Sequence, residues 1–247
     1  MILFPAIDIQ GGKCVRLLQG QFDQATTYAD DPIKVAERWK AEGAQWLHIV
    51  DLDGARTGVP SSRNLGFVRQ IAAEVGLPIQ FGGGVRSAES AERMFDMGVA
   101  RVVVGTAAAR SPELISALFS QYGAKIAVGV DARDGLVAVH GWQESSGEQA
   151  TIFVTRMAEL GAQRFIYTDI ARDGMLKGVN IVSLAQVAVA VPDVHVIASG
   201  GVTTLRDLDA LEELRRISAP NLEGVIIGKA IYAGTVAFPE ALQRFTT

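Results

Sequence analysis

Short, continuous apolar runs alternate with helical patterns along the chain. The runs, among them LHIV and VVVG, lack the two-residue alternation of half-covered strands and are typical of parallel strands buried on both faces. Segments such as AESAERMFDMG and TIFVTRMAELG predict helices between them. The pattern therefore predicts eight strand–helix units. The predicted strands are Ile2–Asp8, Trp46–Asp51, Pro78–Phe81, Arg101–Gly105, Lys125–Asp131, Arg164–Asp169, Val194–Ser199 and Gly224–Gly228.

Eight such units in 247 residues predict an α/β protein folded as a single (βα)8 TIM barrel. An open doubly wound sheet is the weaker alternative, because that fold rarely repeats so evenly. An internal repeat indicates two similar half-barrels: Asp8 recurs as Asp131, and Gly105 as Gly228, both 123 positions later. We assign the halves to about residues 1–123 and 124–247. We expect one domain over 1–247, because half a barrel would leave open sheet edges.

Composition narrows the class of partner and the compartment. Hydrophobic residues make up 49% of the chain and charged residues 20%, which is ordinary for a globular protein. A net charge of -4 argues against nucleic acid or an anionic membrane as the main partner. We find neither a signal-peptide pattern nor the roughly 20 clean apolar residues of a membrane span. With one cysteine, Cys14, and hence no internal disulfide, we expect a cytoplasmic protein.

Two aspartates stand at predicted strand ends that lie across the barrel from each other. Asp8 closes the first strand and Asp131 the fifth. Catalytic groups of such barrels lie at the carboxyl ends of the strands, so the two carboxylates would face one another over the mouth. Such a pair suits general acid and base catalysis. Capping of the following loop is the structural alternative for each aspartate.

A second repeated pair, Asp51 and Asp169, precedes the loops DGARTG and IARDGML. For this pair we favour hydrogen bonds that hold neighbouring loops. Asp173 on the second loop is a candidate mobile acid, and Gly174 permits a turn close to a ligand. Alternation along the strand allows either Thr168 or Asp169 to face the mouth, but not both.

Glycine-rich strand ends also occur twice, each before a helix that we expect Ser87 or Thr203 to open. Backbone N–H groups near a helix N-terminus bind phosphate, although tight turns alone would also require glycine. Duplication at neighbouring strand ends favours phosphate and predicts a small-molecule substrate with two phosphates. One site would comprise Gly83, Gly84, Gly105 and Thr106, and the other Gly200, Gly201, Gly228 and Lys229.

A few further side chains are candidates for contact with a ligand. Arg16 and Arg86 are either anion contacts or solvated loop residues. Trp142 lies on what we interpret as a hairpin over the mouth, where it would stack on a planar ring or anchor packing. The histidines lack metal-ligand spacing, and for His48 we favour a structural role over the alternative of a contact with substrate. We therefore predict no metal and no cofactor.

Nine motifs spread over nearly the whole chain resemble the phosphoribosyl isomerase family of histidine biosynthesis. They are PAIDIQGGKCVRL, LHIVDLDGA, FGGGVR, VVVGTAA, VGVDARDG, HGWQESSG, YTDIARDGML, ASGGV and IIGKAIY. The resemblance implies a (βα)8 barrel with half-barrel symmetry. It implies conversion of the aminoaldose ProFAR (phosphoribosylformimino-AICAR phosphate), which carries two phosphates, to the aminoketose PRFAR.

The resemblance also assigns roles. Asp8 matches the general base, and Asp131 matches the carboxylate usually given as the general acid. Thr168 and Asp173 match residues of the sixth loop, where related bifunctional isomerases place the acid, so the identity of the acid stays open. A fixed strand end holds geometry better than a loop does, which slightly favours Asp131.

Three alternatives remain. The sister cyclase, which works with a glutaminase, shares the strand-end aspartates but would not be expected to carry DLDGA, HGWQESSG or GKAIY. The bifunctional isomerase of histidine and tryptophan synthesis typically has an Arg-Gly-rich fifth loop, from which VHGWQESSG departs. A non-enzymatic sugar-phosphate-binding subunit would be expected to lose Asp8 or Asp131. We expect a monomer.

Overall fold

Eight parallel strands close into a barrel in the computed structural model, which describes residues 1–18, 20–105, 111–139 and 144–245. Strand β1 pairs on one side with β4 and on the other with β12, and pairing of β7 with β10 completes the ring. This confirms the predicted fold. The barrel strands are β1 (Ile2–Gln10), β4 (Leu47–Asp51), β5 (Ile79–Gly82), β6 (Arg101–Val104), β7 (Ile126–Arg133), β10 (Arg164–Asp169), β11 (His195–Ser199) and β12 (Leu222–Ile227).

The first strand of each half-barrel continues into a β-hairpin. Strands β2 (Lys13–Leu18) and β3 (Gln21–Ala29) follow β1, whereas β8 (Leu136–Val139) and β9 (Glu144–Gln149) follow β7. Strand β8 begins 123 residues after β2, and β9 begins 123 residues after β3. The same offset separates Asp8 from Asp131. The first hairpin turns at Gly11 and Gly12, whose φ angles are 56° and 83°. The second turns at Asp134 and Gly135, whose φ angles are 52° and 78°. Two successive positive φ angles are typical of type I′ hairpin turns.

Helices cover the outside of the barrel, and the sequence predicted the first residue of two of them. Ser87 caps its helix through a reciprocal bond with Ser90, as predicted. The prediction for Thr203 was wrong by one residue, because Thr204 forms the capping box with Asp207. The helices of the described residues are Pro32–Ala41, Leu52–Thr57, Ser62–Glu74, Ala88–Asp96, Pro112–Tyr122, Ala150–Glu159, Ile181–Ala190, Leu205–Ile217, Lys229–Tyr232 and Phe238–Phe245, with a 3₁₀ turn at Gly123–Lys125.

The apolar residues form two clusters on the two faces of the sheet. The larger cluster lies between the strands and the helices, where Trp39, Phe81 and Phe153 are fully buried. The smaller fills the inside of the barrel with Phe4, Ala6, Ala127, Ile166, Ile197 and Ile226. Because the strands are covered on both faces, their sequences are mostly apolar, without the alternation of half-covered strands. None of the helices in the described ranges is long and apolar enough to cross a membrane.

Candidate active site

The carboxyl ends of the barrel strands surround a cavity of about 290 Å³. All the candidate site residues that the structure describes line it; Thr106 and Trp142 lie outside the described residues. The sequence predictions thus converge on one place. The candidates that line the cavity are Asp8, Arg16, Gly83, Gly84, Arg86, Gly105, Asp131, Thr168, Asp173, Gly174, Gly200, Gly201, Gly228 and Lys229.

Asp8 forms an ion pair with Arg16 inside this cavity. The sequence predicted that strand β1 ends at Asp8, but the strand continues to Gln10. It continues because it enters a hairpin, whose returning strand β2 brings Arg16 next to Asp8. Arg16 Nη1 lies 2.6 Å from Asp8 Oδ2, and Arg16 Nη2 donates to the carbonyl oxygen of Ala6. Burial raises the pKa of Asp8, and the charge and hydrogen bond of Arg16 counter that rise.

Asp131 and Thr168 occupy neighbouring positions on β7 and β10, and both line the cavity. The carboxylate of Asp169 instead accepts hydrogen bonds from the Asn180 side chain at 2.7 Å and from the backbone N–H of Arg172 at 3.2 Å. Thr168 is therefore the residue that lines the cavity, and Asp169 holds the following loop. Like β1, strand β7 extends two residues past the predicted final aspartate into its hairpin.

The loop after β10 places Asp173 beside the other two carboxylates. Its backbone N–H bonds the carbonyl of Asp169 at 3.0 Å, and Lys229 Nζ bonds the carbonyl of Gly174 at 2.8 Å. Burial, together with the charges of Asp8 and Asp131, raises the pKa of Asp173 to about 6, against an opposing effect of Arg16. A carboxyl group with this pKa can give up a proton near neutral pH.

Asp51, the counterpart of Asp169, holds its own loop in the same way. It accepts hydrogen bonds from Asn64 Nδ2 at 2.6 Å and from the backbone N–H groups of Gly54 at 3.0 Å and Ser61 at 2.6 Å. Asp51 is buried and does not line the cavity. These contacts agree with the supporting role that we favoured for this pair.

The duplicated glycines pack against the loops that the two aspartates hold. Gly83, Gly84, Gly200 and Gly201 all have positive φ angles between 79° and 116°. A Cβ on Gly84 would lie 2.8 Å from the carbonyl oxygen of Gly54, and one on Gly201 would lie 2.5 Å from that of Gly178. Tight packing therefore already requires glycine at these positions, whether or not a phosphate approaches them.

Gly105 and Gly228 differ from these doublets. Among the described residues, nothing lies within 4 Å of a Cβ placed on Gly105, so none of those neighbours requires glycine there by packing. A Cβ on Gly228 would lie 2.9 Å from the guanidinium carbon of Arg16, which links the Asp8–Arg16 pair to this strand end. The guanidinium of Arg86 lies against Gly58 at the rim of the other half.

The sequence prediction missed Leu17 and Phe22, which line the cavity from the first hairpin. His48, for which contact with substrate was the less favoured alternative, lines the cavity from inside the barrel. Strand β3, with the sequence QFDQATTYA, is mostly exposed and carries no apolar signal. The strand alternation does give a signal for His48, which is in phase with Val50, another residue of the lining.

Metal and thiol chemistry find no support in the described part of the chain. No group of three or more His, Cys, Asp or Glu side chains there could hold a metal ion. Cys14 is buried on β2, and burial raises the pKa of its thiol to about 12, so a thiolate is strongly disfavoured.

Comparison with known proteins gives a consistent result. The family model "Histidine biosynthesis protein" matches residues 2–237. A protein of Syntrophobacter fumaroxidans named 1-(5-phosphoribosyl)-5-((5-phosphoribosylamino)methylideneamino) imidazole-4-carboxamide isomerase is 49% identical over 244 residues, which cover 99% of this chain and 93% of that protein. Proteins of the same name from Chloroflexus aggregans and Roseiflexus castenholzii are 48% and 46% identical, over 98% and 99% of this chain and 97% and 100% of their own length. The chain therefore belongs to the histidine biosynthesis protein family.

Proposed function

We propose that this chain isomerises the aminoaldose ProFAR to the aminoketose PRFAR. The observation that carries the proposal is the meeting of Asp8, Asp131 and Asp173 in one cavity with the glycines of two strand ends on either side. The relatives reported above are named for this isomerisation and match nearly the full length of the chain. The sister cyclase and the bifunctional isomerase are not favoured by these names.

The reaction is an internal redox step in which C2 loses hydrogen and becomes a ketone while C1 gains hydrogen. A general acid protonates the ring oxygen of the aminosugar as the bond from that oxygen to C1 breaks, which leaves an iminium ion. A general base then removes the proton from C2, and the electron pair of that C–H bond forms a C1=C2 double bond as the iminium nitrogen becomes neutral, which gives an enolamine. The enolamine takes up a proton at C1 and loses the proton of its C2 hydroxyl group, which leaves the ketone. The balance requires no external oxidant or reductant.

We assign the role of base to Asp8. Arg16 favours the carboxylate form of Asp8 against the burial that opposes it, and a base must be ionised before it can accept a proton. The acid is either Asp131 or Asp173. The raised pKa of Asp173 favours Asp173 as the acid. The fixed position of Asp131 on strand β7 at the mouth favours Asp131.

The two phosphates of the substrate would divide between the half-barrels. One would contact Gly83, Gly84, Gly105 and Thr106, and the other Gly200, Gly201, Gly228 and Lys229. Capped helices begin just beyond the two glycine doublets, and a helix N-terminus favours an anion. A ligand-bound structure with either phosphate remote from its assigned loops would contradict this division.

We further propose that the enzyme works without metal or cofactor, as a monomer, in the cytoplasm. Sedimentation of the purified protein measures the oligomeric state. Dialysis against a chelator should leave turnover intact; loss of turnover that zinc or magnesium restores would contradict the proposal.

The decisive experiment is a spectrophotometric turnover assay of the purified protein with ProFAR. We expect turnover by the wild type and none by Asp8→Asn, which should still bind substrate because the phosphates provide binding that is the same in the ground and transition states. A wild-type protein that binds ProFAR without converting it would instead support a sugar-phosphate-binding subunit. Retained turnover in Asp8→Asn would remove Asp8 from the mechanism.

A further inference from the structure

A row of three polar side chains crosses the inside of the barrel below the catalytic carboxylates. His48, Gln80 and Arg101 are lateral neighbours in register on β4, β5 and β6. Gln80 Nε2 lies 3.0 Å from His48 Nδ1, and Arg101 Nη1 lies 2.8 Å from Gln80 Oε1. All three side chains are buried, and His48 lines the cavity.

The chemistry of these groups fixes the direction of both hydrogen bonds. A guanidinium can only donate, so the oxygen of the Gln80 amide must face Arg101 and its NH₂ group must face His48. His48 Nδ1 therefore accepts a hydrogen bond and carries no hydrogen. A neutral imidazole in this arrangement has its hydrogen on Nε2, the ring nitrogen that remains for a contact with a bound molecule.

Arg101 is itself held in place at the amino-terminal end of the barrel. Its guanidinium lies 4.5 Å from the ring centre of Trp46 and 3.6 Å from the carboxylate of Glu223. Glu223 is the extra residue of a β-bulge on β12, and its carboxylate also pairs with both Nε and Nη2 of Arg164, at 2.5 and 3.0 Å. The donor end of the row thus cannot reverse without breaking a buried ion pair.

The imidazole of His48 is kept neutral at physiological pH. Burial lowers its pKa to about 3, and the positive charges of Arg16 and Arg101 act in the same direction. A neutral imidazole is a hydrogen-bond donor that does not change its charge over the working pH range, and it can polarise a substrate oxygen.

The other half-barrel shows that the barrel does not need this row for packing. By the internal repeat, Ile166 and Ile197 occupy the positions of His48 and Gln80, and both belong to the apolar cluster inside the barrel. Buried polar groups commonly stabilise a fold no better than apolar groups of similar volume. An asymmetric polar row in an otherwise repeated barrel is therefore better explained by ligand contact than by packing.

We propose that His48 donates a hydrogen bond through Nε2 to an oxygen of the bound aminosugar, and that Gln80 and Arg101 are positioning residues that fix the tautomer. The contact with the aminosugar rests on the proposed function. The tautomer itself does not, because it follows from the hydrogen bonds of this chain alone.

Nitrogen-15 NMR of labelled histidine tests the tautomer directly. We expect the resonances of His48, assigned by their loss in His48→Gln, to report Nε2–H and to stay unchanged between pH 5 and 8. In Gln80→Glu the carboxylate can only accept, so Nδ1 should become protonated. A wild-type ring that carries hydrogen on Nδ1, or that titrates in this range, would overturn the inference.

Kinetics test the contact with substrate. Gln80→Met keeps similar volume but cannot bond to His48, and we expect kcat to fall about tenfold or more with KM changed less than about threefold. The matched control is Ile197→Val, at the repeat-related position, which should leave kcat and the His48 resonances unchanged. Unchanged kcat in a folded Gln80→Met would overturn the proposal.

A second pair of variants covers the case in which Gln80→Met fails to fold. The amide of His48→Gln can still donate from near the place of Nε2, so its kcat should exceed that of His48→Met by about tenfold. Equal kcat values would overturn the proposal. Absence of ProFAR turnover in the wild type would refute the proposed function and leave the tautomer result standing, whereas turnover with an Nδ1–H ring would overturn only this inference.

Discussion

Arg16 Nη1 lies 2.6 Å from Asp8 Oδ2, the carboxylate proposed as the base. The same guanidinium lies against Gly228, the residue just after β12. The arginine also stacks over the Tyr232 ring, with its guanidinium carbon 5.0 Å from the ring centre. Both members of the pair are largely buried, so solvent screens their attraction only weakly. Arg16, considered from sequence as an anion contact, therefore has a direct influence on the base.

Arg16→Gln should move the acid limb of the kcat/KM profile to higher pH. Removal of the positive charge disfavours the carboxylate and raises the pKa of Asp8, so the base becomes protonated, and inactive, at a higher pH than in the wild type. The measurement is kcat/KM against pH. Lys13→Gln, on the same strand but paired with Asp30 at the surface, is the matched control and should leave the limb in place. An unmoved limb in Arg16→Gln would show that the pair does not tune the base.

The pH profile also separates the two candidate acids. If Asp173 is the acid, kcat/KM should fall as pH rises through about 6, because the free enzyme loses the proton of Asp173 there. Asp173→Asn should then abolish this alkaline limb and lower kcat by about 10²- to 10⁴-fold. Asp131→Asn should keep the limb while disturbing substrate orientation. The opposite pattern, with the limb lost only in Asp131→Asn, would assign the acid to Asp131.

The barrel strands could be predicted from sequence because burial on both faces leaves a continuous apolar run. Strand β3 left no such signal, since it is an exposed hairpin strand with polar residues. The Asp8–Arg16 contact depends on the antiparallel register that the Gly11-Gly12 turn sets, and single-residue patterns do not specify register. Glu223 is the extra residue of a bulge, where the alternation of facing residues breaks down.

The lining of the cavity could be predicted to a large extent, because its aspartates and glycines recur in the second half-barrel, 117 or 123 positions later. The choice between Thr168 and Asp169 could not be made, since alternation gives two phases and only the pairing of β10 with β7 selects one. The reason for the glycine doublets was also incomplete, because the carbonyl oxygens of Gly54 and Gly178 lie too close to leave room for a Cβ on Gly84 or Gly201. Such contacts between distant loops leave no trace in local sequence.

Asp173→Asn should stabilise the protein at pH 8 and less so at pH 4.5. The folded-state pKa of about 6 lies above the ordinary value of 3.8, so ionisation is less favourable in the folded state than in the unfolded chain. The ionisable Asp173 therefore costs the wild type no stability below pH 3.8, the pKa in the unfolded chain. The cost is fully present above about pH 6, the pKa in the folded protein. We expect a gain of about 1–3 kcal/mol in the free energy of unfolding at pH 8, measured by urea denaturation.

The exposed Asp193 provides a control for that gain, since Asp193→Asn should not change stability at either pH. An Asp173→Asn protein that is no more stable than the wild type at pH 8 would show that the carboxyl group is not strained by burial there. The proposed acid would then need another source for its raised pKa.

Alanine substitutions separate the glycines that serve packing from those that would serve phosphate. Gly201→Ala forces a Cβ to 2.5 Å from the Gly178 carbonyl oxygen at a φ of 91°, and should cost about 2 kcal/mol or more of stability. In Gly105→Ala the new methyl group meets none of the residues that the structure describes within 4 Å, and the variant should fold like the wild type. Its methyl group would nevertheless enter the cavity where we place a phosphate, so KM for ProFAR should rise several-fold.

Gly66→Ala, in an exposed part of the helix Ser62–Glu74 away from the cavity, is the control: stability should rise by about 0.5–1 kcal/mol and KM should not change. If Gly105→Ala leaves KM at the wild-type value, Gly105 does not contact the phosphate, and the site of that half-barrel must be built from Gly83 and Gly84 without it.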